Sequence, residues 1–161
     1  MARTRLPRSI ATHLGRRTVH VAAPLVDGEW LALTPGELVV VGQGGIRLEL
    51  AWTAIENASW DGETRTFTVH LVDGQATTVQ TENDDVWLMT VALREHVNSS
   101  IVHVEFLATE AGGEVRVLVR KDSRGELSSQ VLARGPISPA DEAAIDELER
   151  RARAAVGLAT P

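Results

Sequence analysis

The stretch from Asn83 to Ser100 is the one long helical pattern before the final third of the chain, and it stands among short strand-like runs joined by tight turns. Val86, Met89, Leu93 and Val97 recur at helical spacing on one stripe, with Trp87 and Leu88 widening it. Asn83 or Asp84 is placed to cap the amino end, because a short side-chain oxygen accepts from backbone N–H groups that lack a helical partner. Asp84 and Asp85 suit the positive end of the helix dipole, and Arg94 and His96 lie toward the other end. A sheet with one apolar face needs a cover. This helix, expected over 84–99, can supply it.

The sheet is legible in the segment before the helix. Thr18–Val26 ends at Asp27-Gly28, a two-residue hairpin signal. Glu29–Leu33 runs to Thr34-Pro35-Gly36, Leu38–Val41 reads as a buried strand, and Gly42-Gln43-Gly44-Gly45 as a hairpin loop. Ile46, Leu48, Leu50 and Trp52 alternate with Arg47, Glu49 and Ala51, the pattern of a half-buried strand. Ile55–Trp60 closes at Asp61-Gly62, Phe67, Val69 and Leu71 alternate with polar residues before Asp73-Gly74, and Thr77–Thr81 precedes the helix. Seven short strands joined by turns of this kind imply an antiparallel meander.

A second unit follows over 101–157. Val102, Val104 and Phe106 alternate with His103 and Glu105; Val115, Val117 and Val119 follow a glycine turn; Leu127–Arg134 forms a third strand. Ser138-Pro139-Ala140-Asp141 combines an N-cap, a proline at the first helical position and an acid at the third. Ile145, Leu148, Ala152 and Val156 then form one stripe, and Gly157 ends the helix. Asp146–Arg150, Glu147–Arg151 and Glu149–Arg153 are spaced for i,i+4 ion pairs on a solvated face. A βββα unit of this size is marginal alone and needs a packing surface from the first unit or from a second subunit. Residues 158–161 read as a tail.

Charge is unevenly distributed. The first 20 residues contain Arg3, Arg5, Arg8, Arg16 and Arg17 and no acid, while the whole chain has a net charge of −6. Residues 1–17 form a basic arm in which Pro7 to Leu14 can make a short helix stopped by Gly15, with Ile10 and Leu14 spaced to dock. The amino-terminal segment is too short and too polar for a signal-peptide core, so the expectation is a cytoplasmic location. No apolar run reaches the roughly 18 residues of a transmembrane helix. With 43% hydrophobic and 24% charged residues the composition is that of a folded chain. The absence of cysteine removes disulfides, thiolate chemistry and cysteine-ligated zinc.

The residue types that carry chemistry do not converge in sequence. The five histidines, at 13, 20, 70, 96 and 103, show no metal-ligand spacing, and His20, His70 and His103 read as outward imidazoles on strands. Gly42-x-Gly44-Gly45 joins two strands, whereas a phosphate cradle needs a helix directly after the glycines. Asp27, Asp61 and Asp73 sit where turn geometry wants them, and no nucleophile motif is present. No catalytic, cofactor or metal residue is assigned, and no cofactor is expected. The four tryptophans, at 30, 52, 60 and 87, are expected to supply most of the aromatic burial.

Seven meandering strands followed by one helix resemble the order of a pleckstrin-homology-like (PH/GRAM-type) domain. The segments Gly28-Glu29-Trp30-Leu31-Ala32-Leu33-Thr34-Pro35 and Trp52-Thr53-Ala54-Ile55-Glu56-Asn57-Ala58-Ser59-Trp60-Asp61 look like those of bacterial PH-like proteins. With Arg94 to Val102, the chain over roughly 6–157 is similar to an uncharacterised family of actinobacterial proteins. The resemblance implies an α+β fold: a PH-like split barrel over 18–100 with a capping helix, then the βββα unit. It implies no activity. Lipid-binding members of the wider group hold phosphates on basic residues of the first hairpin. Here that turn is the acidic Val26-Asp27-Gly28-Glu29, which argues against phosphoinositides.

The resulting expectation is a non-enzymatic interaction or scaffold module that binds a protein partner or self-associates. One alternative is polyanion binding (RNA, DNA or acidic lipid) through Arg3, Arg5, Arg8, Arg16 and Arg17. Another is a small enzyme that uses distant carboxylates.

Overall fold

The computed structural model describes residues 5–160. Over these residues the chain is a mixed α+β protein with three antiparallel sheets and three α-helices. It divides into two compact units, Met1–Asn98 and Ser99–Pro161, a boundary two residues ahead of the expected one.

The first unit opens with α1 (Arg8–Ala11) and a 3-10 turn (Thr12–Leu14). Strands β1 (Val21–Pro24), β2 (Trp30–Leu33), β3 (Glu37–Gly42) and β4 (Gly45–Ala51) pair in sequence order as one sheet. β5 (Ile55–Asp61), β6 (Thr66–Leu71) and β7 (Ala76–Gln80) form a second sheet in the same manner. The first hairpin is one residue longer than its Asp-Gly signal: Leu25 N–H reaches Glu29 O at 2.8 Å around Val26–Gly28. Asp27 (φ 63°) and Gly28 (φ 77°) take the left-handed conformations that Asp-Gly permits.

Pairing breaks between β4 and β5, where a 3-10 turn, Trp52–Ala54, turns the corner. At the far end, an antiparallel bridge from Leu25 to Thr81 joins the two sheets. No closed barrel forms among the described residues. Helix α2 (Trp87–Ser100) begins three residues later than expected. The reason is local: Asn83 Oδ1 accepts from Asp85 N–H and Asp84 O from Val86 N–H, which makes 83–86 a turn. The first i→i+4 bond runs from Thr90 N–H to Val86 O.

Both sheets of this unit share one core. Leu31, Leu33, Leu38, Val40, Ile55, Phe67 and Val69 bury with Val86, Met89, Leu93 and Val97 of α2. Trp87 and Leu88 do not join them; they are 65% and 41% exposed. Leu88 lies about 200° around the helix from Val86, so the packed stripe excludes it. The other face of β2 and β3 presents Ala32, Val39 and Val41, which Ile10 and Leu14 cover. The amino-terminal segment from Leu6 onward is thereby part of the fold.

The second unit contains β8 (Ile101–Ala108), β9 (Glu114–Lys121) and β10 (Leu127–Arg134) in the order β10-β9-β8, and α3 (Glu142–Ala155). Val115, Val117 and Val119 pack with Leu148 and Ala152 of α3, and Leu158 joins them at the edge, so the tail begins inside this cluster. The charged face of α3 makes tertiary bonds in place of the expected i,i+4 pairs. Arg151 reaches Glu105, Glu149 accepts from Ser129 and Arg153 donates to Ser129, while Arg150 pairs with Glu147. Asp141 anchors the entry to α3 by accepting from both Ser138 N–H (2.9 Å) and Ser138 O–H (3.0 Å). These bonds hold its carboxyl below the usual range. None of the described helices is long and apolar enough to cross a membrane.

Candidate functional site

The break after β4 leaves β5 as an edge strand, paired only with β6 among the described strands. An edge strand presents a row of backbone N–H and C=O groups along its unpaired side. Here that side opens onto a groove of about 230 Å³ between β5 and α2. Glu56, Asn57, Ala58, Ser59 and Trp60 all line it. Successive side chains of a strand point to opposite faces, so the run takes in side chains from one face and the main chain or side chains between them. An unbroken run of five marks a groove along the strand's edge.

α2 supplies the opposite wall through Thr90, Leu93, Arg94, Val97 and Asn98, residues that a 3.6 period gathers on one side. Leu93, Val97 and Phe67 form an apolar floor, buried to within 5% exposure. Asn57, Ser59, Arg94 and Asn98 are exposed around it and offer both donors and acceptors. Ala58 makes the notch. It stands opposite Val69, beside the cross-strand pair Trp60–Phe67, whose ring centroids lie 4.5 Å apart. A small side chain next to two large ones leaves space that a ligand side chain can occupy.

A second constellation lies on the same helix. His20, just ahead of β1, and His96 of α2 bring Nδ1 and Nε2 to 3.2 Å, one ring nitrogen donating and the other accepting. The indole of Trp52 stacks on His96 with centroids 4.4 Å apart and planes 3° from parallel. Trp52 is buried and donates from Nε1 to Thr34 O at 3.0 Å. Burial above all, with a contribution from His20, pushes His96 below the ordinary imidazole range, and Glu95 opposes the shift.

The arginines of the expected polyanion arm are separated by the fold. Arg3 lies outside the described residues. Arg5, Arg8 and Arg16 are exposed. Arg17 is engaged, pairing through Nε with Glu37 at 2.8 Å and through Nη2 with Glu49 at 3.0 Å. Burial raises the Glu37 carboxyl above its ordinary value despite the opposing pull of Arg17. In the acidic first turn, Glu29 accepts from Arg47 at 2.7 Å. Of the remaining histidines, His13 meets Gln43 O at 3.0 Å and His103 meets Glu105 at 3.1 Å. Among the described residues no three histidines or carboxylates are grouped to hold a metal.

Both constellations escaped the sequence reading. His20 and His96 are 76 positions apart and share no motif. The groove did leave a trace. Ala51-Trp52-Thr53-Ala54 has no Gly, Asp, Asn or Pro, unlike the other strand connections of the first unit. A connection without turn residues between two clear strands is the mark of a sheet break, and hence of an open edge. Compared with protein-family models and with curated proteins, the chain matches none.

Proposed function

We propose that this chain is a non-enzymatic interaction module that binds a protein partner by taking an extended segment of it into the β5–α2 groove. The segment adds as a strand to β5, so that main-chain hydrogen bonds give affinity and the pocket beneath Ala58 selects one side chain. The carrying observation is the unbroken run Glu56–Trp60 along the groove. Asn57–Trp60, four residues at about 3.3 Å each, offer roughly 13 Å of edge, room for a peptide of about four residues. The floor of Leu93, Val97 and Phe67 favours an apolar side chain at the notch.

The PH-like split-barrel reading belongs to the same proposal. It is supported by the strand division of four and three, by the corner at Trp52–Ala54 and by a following helix whose apolar stripe enters the core of both sheets. In that architecture a helix beside an open strand edge is a ready peptide cleft.

The test is selection from a displayed library of random heptapeptides, followed by binding and amide chemical-shift measurements on the full chain. Selected peptides should shift the amides of 56–60 and of the groove side of α2. Ala58→Leu, which fills the notch, should weaken binding about tenfold or more, the cost of excluding a buried side chain. A library that yields no binder, or binders whose shifts map elsewhere, overturns the reading.

A further inference from the structure

The His20–His96 contact has a geometry that counts protons. The ring planes are 13° apart and the centroids 5.3 Å apart. That separation is too long for face contact and fits two nearly coplanar rings joined edge to edge by an N–H···N bond, with nitrogens at 3.2 Å. The neutral pair has one proton between the facing nitrogens. A first added proton goes to an outer nitrogen, and the bond survives as a charge-assisted one. A second puts N–H on both facing nitrogens, leaving no acceptor and two like charges in contact. The bond then cannot persist.

The pair ties together the parts that shape the groove. The backbone N–H of His20 donates to Leu33 O at 2.8 Å, which fixes the residue to β2. His96 is clamped between His20 and the Trp52 indole at the β4–β5 corner. On α2 it is next in sequence to Val97, which lines the groove, and stands about 100° around the helix from it. We infer that His20 and His96 form a latch holding α2 at the corner from which β5 departs, and that a second proton on the pair releases α2 and loosens the peptide groove. The effect on ligand binding rests on the groove reading; the release of α2 does not.

The groups facing His96 are few. His20 approaches from the lead into β1, the uncharged indole of Trp52 from the corner, and Glu95 acts from the helix itself. An indole face favours an imidazolium, and Glu95 favours it too. Burial and His20 outweigh Glu95 and hold His96 below its ordinary value. The doubly protonated pair therefore forms only as pH falls.

The experiment uses the full chain in two arms between about pH 7.5 and pH 5. Without peptide, histidine ring signals report the two protonation steps while amide exchange reports the protection of α2. With a selected groove peptide lacking His, Asp and Glu, affinity is measured over the same range. Protection of α2 and peptide affinity should each fall about tenfold as the second step completes. His96→Phe, which keeps the stack on Trp52 without titrating, should flatten both responses, and His20→Leu is a second non-titrating variant should the first fold poorly. Unchanged α2 protection through the second step, or a full acid response in a folded non-titrating variant, overturns the latch. If no peptide binds at any pH the groove reading falls, and the exchange arm alone decides the latch.

Discussion

Replacing Leu93 by alanine should destabilise the first unit by about 2–3 kcal/mol, whereas Trp87→Ala on the same helix should change stability by less than about 0.5 kcal/mol. Leu93 is 3% exposed and packs in the core shared by both sheets; Trp87 is 65% exposed. Removing a buried leucine side chain forfeits about 1.5–3 kcal/mol of transfer free energy, and the cavity left behind raises the total toward about 5 kcal/mol in closed cores. Leu93 borders the groove, so water can enter much of the vacated space, and the cavity contribution shrinks. That places the expected value at the lower end. The assay is urea unfolding followed by circular dichroism, which avoids the fluorescence lost with Trp87. Equal losses for both variants, or a Leu93→Ala loss below about 0.5 kcal/mol, would refute the assignment of Val86, Met89, Leu93 and Val97 as the packed stripe.

Other outcomes follow from specific contacts. Deleting residues 1–17 should lower the melting temperature, because Ile10 and Leu14 each contribute about 1.5–3 kcal/mol of burial over β2 and β3; Arg8→Gln with Arg16→Gln should leave it unchanged. A double-mutant cycle between Arg17 and Glu37 should give a coupling of only about 0.2–1 kcal/mol that falls with added salt, since both side chains are partly exposed. Asp141 has a depressed carboxyl pKa, so its contribution is present above the unfolded carboxylate range and is lost as pH falls through the folded value. Asp141→Asn should therefore reduce the acid sensitivity of α3, read by helix-specific amide exchange.

Much of the β-structure was legible because each strand has its own period and its own turn chemistry. Phe67 and Val69 face inward while Thr66 and Thr68 do not, and Gly42 and Gly45 close a hairpin around Gln43-Gly44. The start of α2 was misread for a physical reason. Asn83 is as good at closing an Asx turn as at capping a helix, and a local side-chain bond to Asp85 won. Two of the ion pairs expected along α3 lost their arginines to partners on the sheet, Glu105 and Ser129, and the third lost Arg150 to Glu147 on the helix itself. The groove and the histidine pair depend on which strand edge stays open and which distant side chains then meet. Local pattern has no access to either, apart from the turn-poor corner at Trp52.

That distinction bears on the arginines near the amino terminus, which suggest a polyanion arm only while the segment is taken as unattached. Leu38, Val39, Val40 and Val41 are all fully buried, a continuous apolar run that marks a strand covered on both faces. α2 and the second sheet cover one face of β3; Ile10 and Leu14 cover the other. Covering that face fixes the path of the basic segment. Arg17 then lands between Glu37 and Glu49. Arg5, Arg8 and Arg16 remain as exposed, described cations, and three phosphate contacts would give a salt slope of only about −3 on duplex DNA. The sequence beyond residue 20 carries a net −11 (−6 for the whole chain less the +5 of the first 20 residues) and works against even that. The β5–α2 groove differs in kind: β5 is the terminal strand of its sheet, and Ala58 leaves room beside Trp60 and Phe67. For this reason the peptide reading stands ahead of the polyanion one.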